Sequence, residues 1–195
     1  FGDVLWDDDR VFLPHVDLPS NTVLVALEKP SPAACRLRTI PVPFPCGMPP
    51  VSTAARDHTL CYVGRSRALV FDMEASLRCS VLQIDTNGWH STNQDDDDIW
   101  HVYSTSVFSW QPHGDRRTRR GFYNSVLAGC IPVVTMRNIE GYTEVLDGVP
   151  DLRAACVVLE DEPTTLDDIF EVIDKVDVVE KCKQLARVAP FFLKS

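Results

Sequence analysis

Apolar positions along this chain fall in short unbroken runs, separated by polar or turn-forming stretches. Strands are predicted over residues 21–27, 59–63, 80–84, 106–110, 131–135 and 155–159. Continuous Val- and Ile-rich runs of this length suit strands that are covered on both faces. Helical spacing is predicted over 70–77, 99–104 and 122–128, more weakly over 142–146, then from Thr165 to about Val176 and over 178–188. Thr165 with Asp168 has the form of a capping box, and Gly129 stands where a helix would close. The aspartates ahead of Ile99 favour a helix start. The stretch 40–45, followed by Pro49 and Pro50, is too rich in proline to donate to a ladder. It reads as an extended connector outside the central sheet. Strands alternating with helices predict an α/β fold, a Rossmann-like doubly wound parallel sheet.

One segment changes this picture from architecture to chemistry. Between the strand at 106–110 and the helix at 122–128 lies Gln111-Pro112-His113-Gly114-Asp115-Arg116-Arg117-Thr118-Arg119-Arg120-Gly121. Open α/β sheets bind ligands at such strand-to-helix turns. Unpaired N–H groups and the helix dipole favour an anion there, and arginine adds a fork that matches phosphate oxygens. The predicted chemistry is a phosphate or diphosphate site; a solvated basic loop is the plainer alternative.

Composition sharpens that contrast. The chain has 195 residues and a formal net charge of -9. A field of that sign disfavours nucleic acid and anionic membranes as general partners, and four local arginines do not reverse that. No run reaches the length of a membrane-spanning helix. The seven cysteines show no zinc-type spacing, and an odd count leaves at least one thiol unpaired within the chain. Cys61, Cys130 and Cys156 lie in or beside apolar runs and read as core residues. The acidic runs 7–9 and 95–98 read as solvated loops, with a metal site as the alternative. His58, His90 and His101 are scattered, and Trp6, Trp89 and Trp110 read mainly as packing residues.

Three blocks together resemble a known family. Gln111-Pro112-His113-Gly114-Asp115, Thr118-Arg119-Arg120 and Leu127-Ala128-Gly129-Cys130-Ile131-Pro132-Val133 resemble the signature of exostosin-like glycosyltransferases, glycosyltransferase family 47, in its plant xyloglucan galactosyltransferase variant. The stretch 22–28 with 40–45 is similar to an upstream strand and proline segment of that family. Leu60-Cys61-Tyr62-Val63-Gly64 with Arg67 resembles a third block, and all three keep the family's order.

The resemblance implies the C-terminal nucleotide-sugar domain of a GT-B enzyme, over residues 56–195, with 1–55 as the tail of an acceptor domain and a connector. It implies transfer of a sugar from a nucleotide diphosphate donor, a UDP-sugar above all, to a glycan acceptor with inversion. The donor is a substrate, and no metal or other cofactor is expected. Arg119 and Arg120 would contact the diphosphate, Gly114 would allow close backbone approach, and Gly64 and Arg67 would border the nucleotide. His113, Asp115 and Thr118 complete the donor-binding set. An oligo- or polysaccharide or glycoprotein would accept the sugar, other glycosyltransferases could co-assemble, and a Golgi lumen location with an N-terminal anchor outside this chain is expected.

One position departs from the pattern. Asn124 stands where the family carries Asp or Glu, four residues after Arg120. An amide offers one acceptor oxygen and no basicity, so no catalytic residue is assigned. This departure motivates a second reading, a non-catalytic exostosin-like domain that binds nucleotide or glycan or assembles with an active partner. A third, an unrelated phosphate-binding α/β enzyme, would leave the upstream blocks unexplained.

Overall fold

The computed structural model describes residues 55–65, 68–84, 96–114, 118–146, 149 and 152–192, and the backbone of four short strands within residues 1–54. Those four are β1 (Trp6–Asp7), β2 (Arg10–Val11), β3 (Val23–Ala26) and β4 (Arg38–Pro41). β1 and β2 form an antiparallel pair, and β3 and β4 a parallel one. Residues 40 and 41 of the proline-rich stretch thus belong to a paired strand apart from the main sheet, and the rest of that stretch, 42–50, lies outside the described residues.

The main sheet has five parallel strands: β5 (His58–Gly64), β6 (Cys79–Gln83), β7 (Ser106–Trp110), β8 (Ile131–Thr135) and β9 (Val157–Leu159). Their spatial order is β6-β5-β7-β8-β9. The helices are α1 (Ala68–Ala75), α2 (Asp96–Ser104), α3 (Arg120–Leu127), α4 (Met136–Val145), α5 (Leu152–Ala155), α6 (Leu166–Ile173) and α7 (Val178–Val188), with a final 3-10 turn at Ala189–Phe191. Successive residues of β5 point to opposite sides of the sheet. Leu60 and Tyr62 join a core with Val70 and Met73 of α1, and Cys61 and Val63 join another with Val102 and Tyr103 of α2. Helices therefore cover both faces, and the sheet is doubly wound.

Several boundaries differ from the sequence expectation for physical reasons. α1 lies two residues earlier than predicted, and the apolar Leu77 beyond it is almost fully exposed. α2 begins at Asp96, because its aspartates form the first turn instead of preceding it. α4 is twice as long as its predicted stretch, and α5 was not anticipated.

Pro132 stands inside β8, an interior strand, where a missing N–H would normally break a ladder. Its neighbour Val133 accepts the Gln111 N–H on the β7 side, at 2.9 Å. Alternation then turns Pro132 toward β9, whose pairing starts one residue later, at Val133 with Val157. The proline removes a donor that no strand was using.

At the amino edge of the sheet, Arg56 ties three elements together. Its guanidinium donates to the Tyr103 carbonyl in α2 at 3.1 Å, to that of Ser106 at the start of β7, and to that of Ala128 capping α3 at 2.9 Å. Gly129 follows at φ +70, and a Cβ there would lie 3.0 Å from the Arg56 side chain. Glycine meets both demands, the left-handed backbone and the close approach.

Candidate functional site

From β5 the chain first adds β6 on one side and then returns to place β7 on the other. This reversal opens a crevice beyond the carboxyl ends of β5 and β7, the place where parallel sheets of this order bind ligands. Gly64 ends β5, and Gln111 to Gly114 leave β7 on the opposite wall.

Arg119 spans the crevice. It is the N-cap residue of α3, with extended backbone and no side chain capping the helix. Its guanidinium donates to the Val63 carbonyl at 3.3 Å on one wall and to the Pro112 carbonyl at 3.4 Å on the other. It also lies 5.5 Å from the centre of the Tyr62 ring, a weak cation–π contact. Among the described residues no carboxylate neutralises it, and the first turn of α3 carries no acid. A half-buried cation held by two carbonyls and set at a helix N-terminus is suited to an anion with several oxygens.

Gly64 makes this geometry possible. A Cβ there would fall 2.6 Å from Arg119 Nη2 and 2.6 Å from the Tyr62 hydroxyl, closer than any side chain permits. The Tyr62 hydroxyl in turn donates to the Arg65 carbonyl at 2.8 Å and fixes the turn after β5. From the other side, the Arg119 N–H donates to the Tyr142 hydroxyl of α4 at 3.1 Å. Tyr142 stacks on Phe122 with ring centres 3.8 Å apart, and Tyr123 and Phe192 pack edge-on around that stack. The anchor of α3's first turn is therefore rigid aromatic packing.

The structure brings most of the predicted residues into this region. Gly64, Arg119 and Arg120 lie at the crevice and the helix start, with Arg120 exposed at the first helical position. His113 and Gly114 follow β7 and are half-buried, and Thr118 is buried just before the cap. Arg67 and Asp115, with Arg116 and Arg117, lie outside the described residues. Asn124 lies one turn into α3, is 3% exposed, and its Oδ1 has no hydrogen-bond partner among the described residues.

Four further residues were given no role from sequence, although Gln111 opens the signature block. Gln111 and Asn138 are buried, and the Asn138 amide donates to the Gln111 carbonyl at 3.3 Å. Tyr103 of α2 lies beneath Gly121, and burial holds its phenol far above the ordinary value. Tyr142 caps Arg119 as described. Gln111 and Tyr142 had a usable signal, since each is a polar side chain in or beside an apolar run; their partners are distant in sequence. Of the other candidates, Trp110 is buried in the core and Cys61, Cys130 and Cys156 are buried thiols, as read. Among the described residues no group of three or more His, Cys, Asp or Glu is placed to share a metal ion, and no helix is long and apolar enough to cross a membrane.

No protein-family model matches the chain. Curated plant proteins do. The probable xyloglucan galactosyltransferase GT13 of Arabidopsis thaliana is 29% identical over 153 residues, covering 66% of this chain and 30% of that protein. The probable xyloglucan galactosyltransferase GT12 of the same plant is 32% identical over 98 residues, covering 47% of this chain and 19% of its own length. The xyloglucan galactosyltransferase MUR3, again from Arabidopsis thaliana, is 51% identical over 35 residues, 18% of this chain and 6% of that protein. The chain thus spans less than a third of the length of these relatives. The matches and the parallel doubly wound sheet agree with the resemblance of the signature blocks to the xyloglucan galactosyltransferase-like exostosin family.

Proposed function

We propose that this chain is the donor-binding domain of a GT-B glycosyltransferase and that the crevice between β5 and β7 holds the diphosphate of a UDP-sugar. The observation that carries this reading is Arg119: a guanidinium at a helix N-terminus, spanning the switch point, with no carboxylate beside it among the described residues. The names of the relatives point to galactose as the sugar and xyloglucan as the acceptor. In the transfer, an acceptor hydroxyl attacks the anomeric carbon while the bond to the diphosphate breaks, inverting that centre, and the hydroxyl proton passes to a base supplied by the acceptor-side domain. The electron pair leaves on the diphosphate, where Arg119 and the α3 amides stabilise the growing charge. Family likeness supports a Golgi setting for the whole protein, and a second, acceptor-side domain to complete the cleft.

Replacing Arg119 with Ala should weaken UDP binding by about tenfold or more, the worth of one or two charge-assisted hydrogen bonds. Calorimetric titration of wild type and variant, with their melting temperatures compared, separates lost contact from lost fold. Equal affinity in a folded variant sinks the site assignment. The non-catalytic reading is favoured by one observation, the buried amide of Asn124 where the family has an acid. UDP binding by the full-length protein without any galactosyl transfer would select it, whereas turnover ends it.

A further inference from the structure

We propose that Gln111 is a positioning residue of the anion site, seating the first turn of α3 so that Arg119 stays across the crevice. The inference rests on the donor-site reading above. Gln111 touches four elements. Its N–H donates to Val133 of β8 at 2.9 Å, and its carbonyl accepts from Asn138 of α4 at 3.3 Å. Its Nε2 donates to the Ser109 hydroxyl of β7 at 3.3 Å. Its Oε1 lies under α3, where a Cβ on Gly121 would fall 3.0 Å from it and 2.7 Å from the Tyr103 hydroxyl of α2.

This arrangement is not what packing alone would select. Gln111 is 1% exposed, and neither its Oε1 nor the Tyr103 hydroxyl makes a well-aligned hydrogen bond among the described residues. A buried acceptor in that state costs stability, and an apolar side chain of the same size would avoid the cost. What the amide supplies is a dipole at the positive end of α3, with the oxygen set against the first turn. The following carbonyl, of Pro112, is one of the two that hold the Arg119 guanidinium. A shift at Gln111 therefore moves both the turn that carries Arg119 and the wall that orients it.

Charged and titratable groups reach this seat from several elements. Cys61 of β5, Cys130 ahead of β8 and Arg119 act on the Tyr103 hydroxyl, and α4 contributes the uncharged Asn138. A carboxylate in place of the amide would form under the first turn of α3, the turn that Arg119 caps, so its ionisation would be read in UDP affinity.

The test is calorimetric titration of the full chain with UDP between about pH 5 and 8, for wild type, Arg119→Ala, Gln111→Met and Gln111→Glu. Gln111→Met should bind about tenfold more weakly at every pH. Gln111→Glu should approach wild type at the acid end and fall away from it as pH rises. A residue with a packing role alone would lower the melting temperature and leave the affinity of the folded protein and its pH slope unchanged. Gly121→Ala reaches the same seat from the helix side: it should lose affinity, and adding Tyr103→Phe, which removes the clashing oxygen, should restore it. Folded Gln111 variants with wild-type affinity and slope, or a Gly121→Ala loss that Tyr103→Phe leaves unrepaired, overturn the positioning role, while a loss in Arg119→Ala alone retains the donor site. Absence of UDP binding in wild type overturns both.

Discussion

Asn124 is 3% exposed, and its amide oxygen is without a partner among the described residues. An Asp in its place would put a carboxyl into a desolvated position, and burial disfavours the ionised form. The folded-state pKa would then stand above the unfolded value. Such a group contributes most stability at low pH and loses it as pH rises through the interval between the two values. Asn124→Asp should therefore melt close to wild type near pH 4 and fall behind it toward pH 7, by about 1–3 kcal/mol. Thermal unfolding across that range checks the expectation. A deficit that does not grow with pH would mean that the carboxylate finds a cation, with Arg119 and Arg120 the nearest candidates along the chain. The same residue shows what sequence could and could not tell. Its identity and its departure from the family were legible, but its burial was not, because that depends on elements far away in the chain.

At the scale of elements, the strands were legible because a parallel sheet covered on both faces needs unbroken apolar runs. α4 was half hidden for the opposite reason. Its buried positions include Asn138 and Gly141 beside Ile139, Tyr142 and Val145, so polar and small residues interrupt the apolar spacing. α6 declared itself through its start. Thr165 accepts from the Asp168 N–H at 3.2 Å, and the Asp168 carboxylate accepts from the N–H groups of Thr165 and Thr164 at 2.8 and 2.9 Å. Those backbone donors hold the Asp168 carboxyl below its ordinary value. The stabilisation is complete above the ordinary carboxylate pKa and drains away as pH falls below it. Thr165→Ala should cost about 1 kcal/mol in urea denaturation at neutral pH. An unchanged midpoint would mean that packing of Ile169 and Phe170 alone fixes the helix start. The crevice was legible at Gly64 and Arg119, since glycine and arginine announce close approach and charge locally. Gln111, Tyr103 and Tyr142 were not, because each acts across two or more elements.

The whole molecule makes a sharper statement about its thiols. Cys61 and Cys130 are fully buried with their sulfurs 4.0 Å apart, and Cys156 is equally buried. Burial, then the neighbouring Cys130, pushes the Cys61 thiol well above its ordinary value, and burial pushes Cys156 up to about 12. Thiolate, the reactive form, is scarce at Cys61 and Cys156. Cys182 is exposed on α7, and Cys79 is half-buried. In native protein a bulky thiol reagent should modify Cys182 at once and Cys61, Cys130 and Cys156 only as the molecule opens, with rates that rise together in urea. Mass spectrometry of timed samples resolves the sites, and early labelling of Cys61 would show that the α2 face opens on its own.

Arg56 gives α3 an electrical character that the crevice alone does not reveal. The helix is a polarised rod, with its negative pole at Ala128 and its positive pole at Arg119. One pole is grounded: the Arg56 guanidinium sits on the Ala128 carbonyl, at the edge of the sheet opposite the crevice. The other has no acid in its first turn. A dipole balanced at one end behaves from outside more like a single charge, and the field of a single charge fades more slowly with distance. The attraction that a phosphate at the proposed site would feel is therefore assembled in part at the far side of the domain, by Arg56.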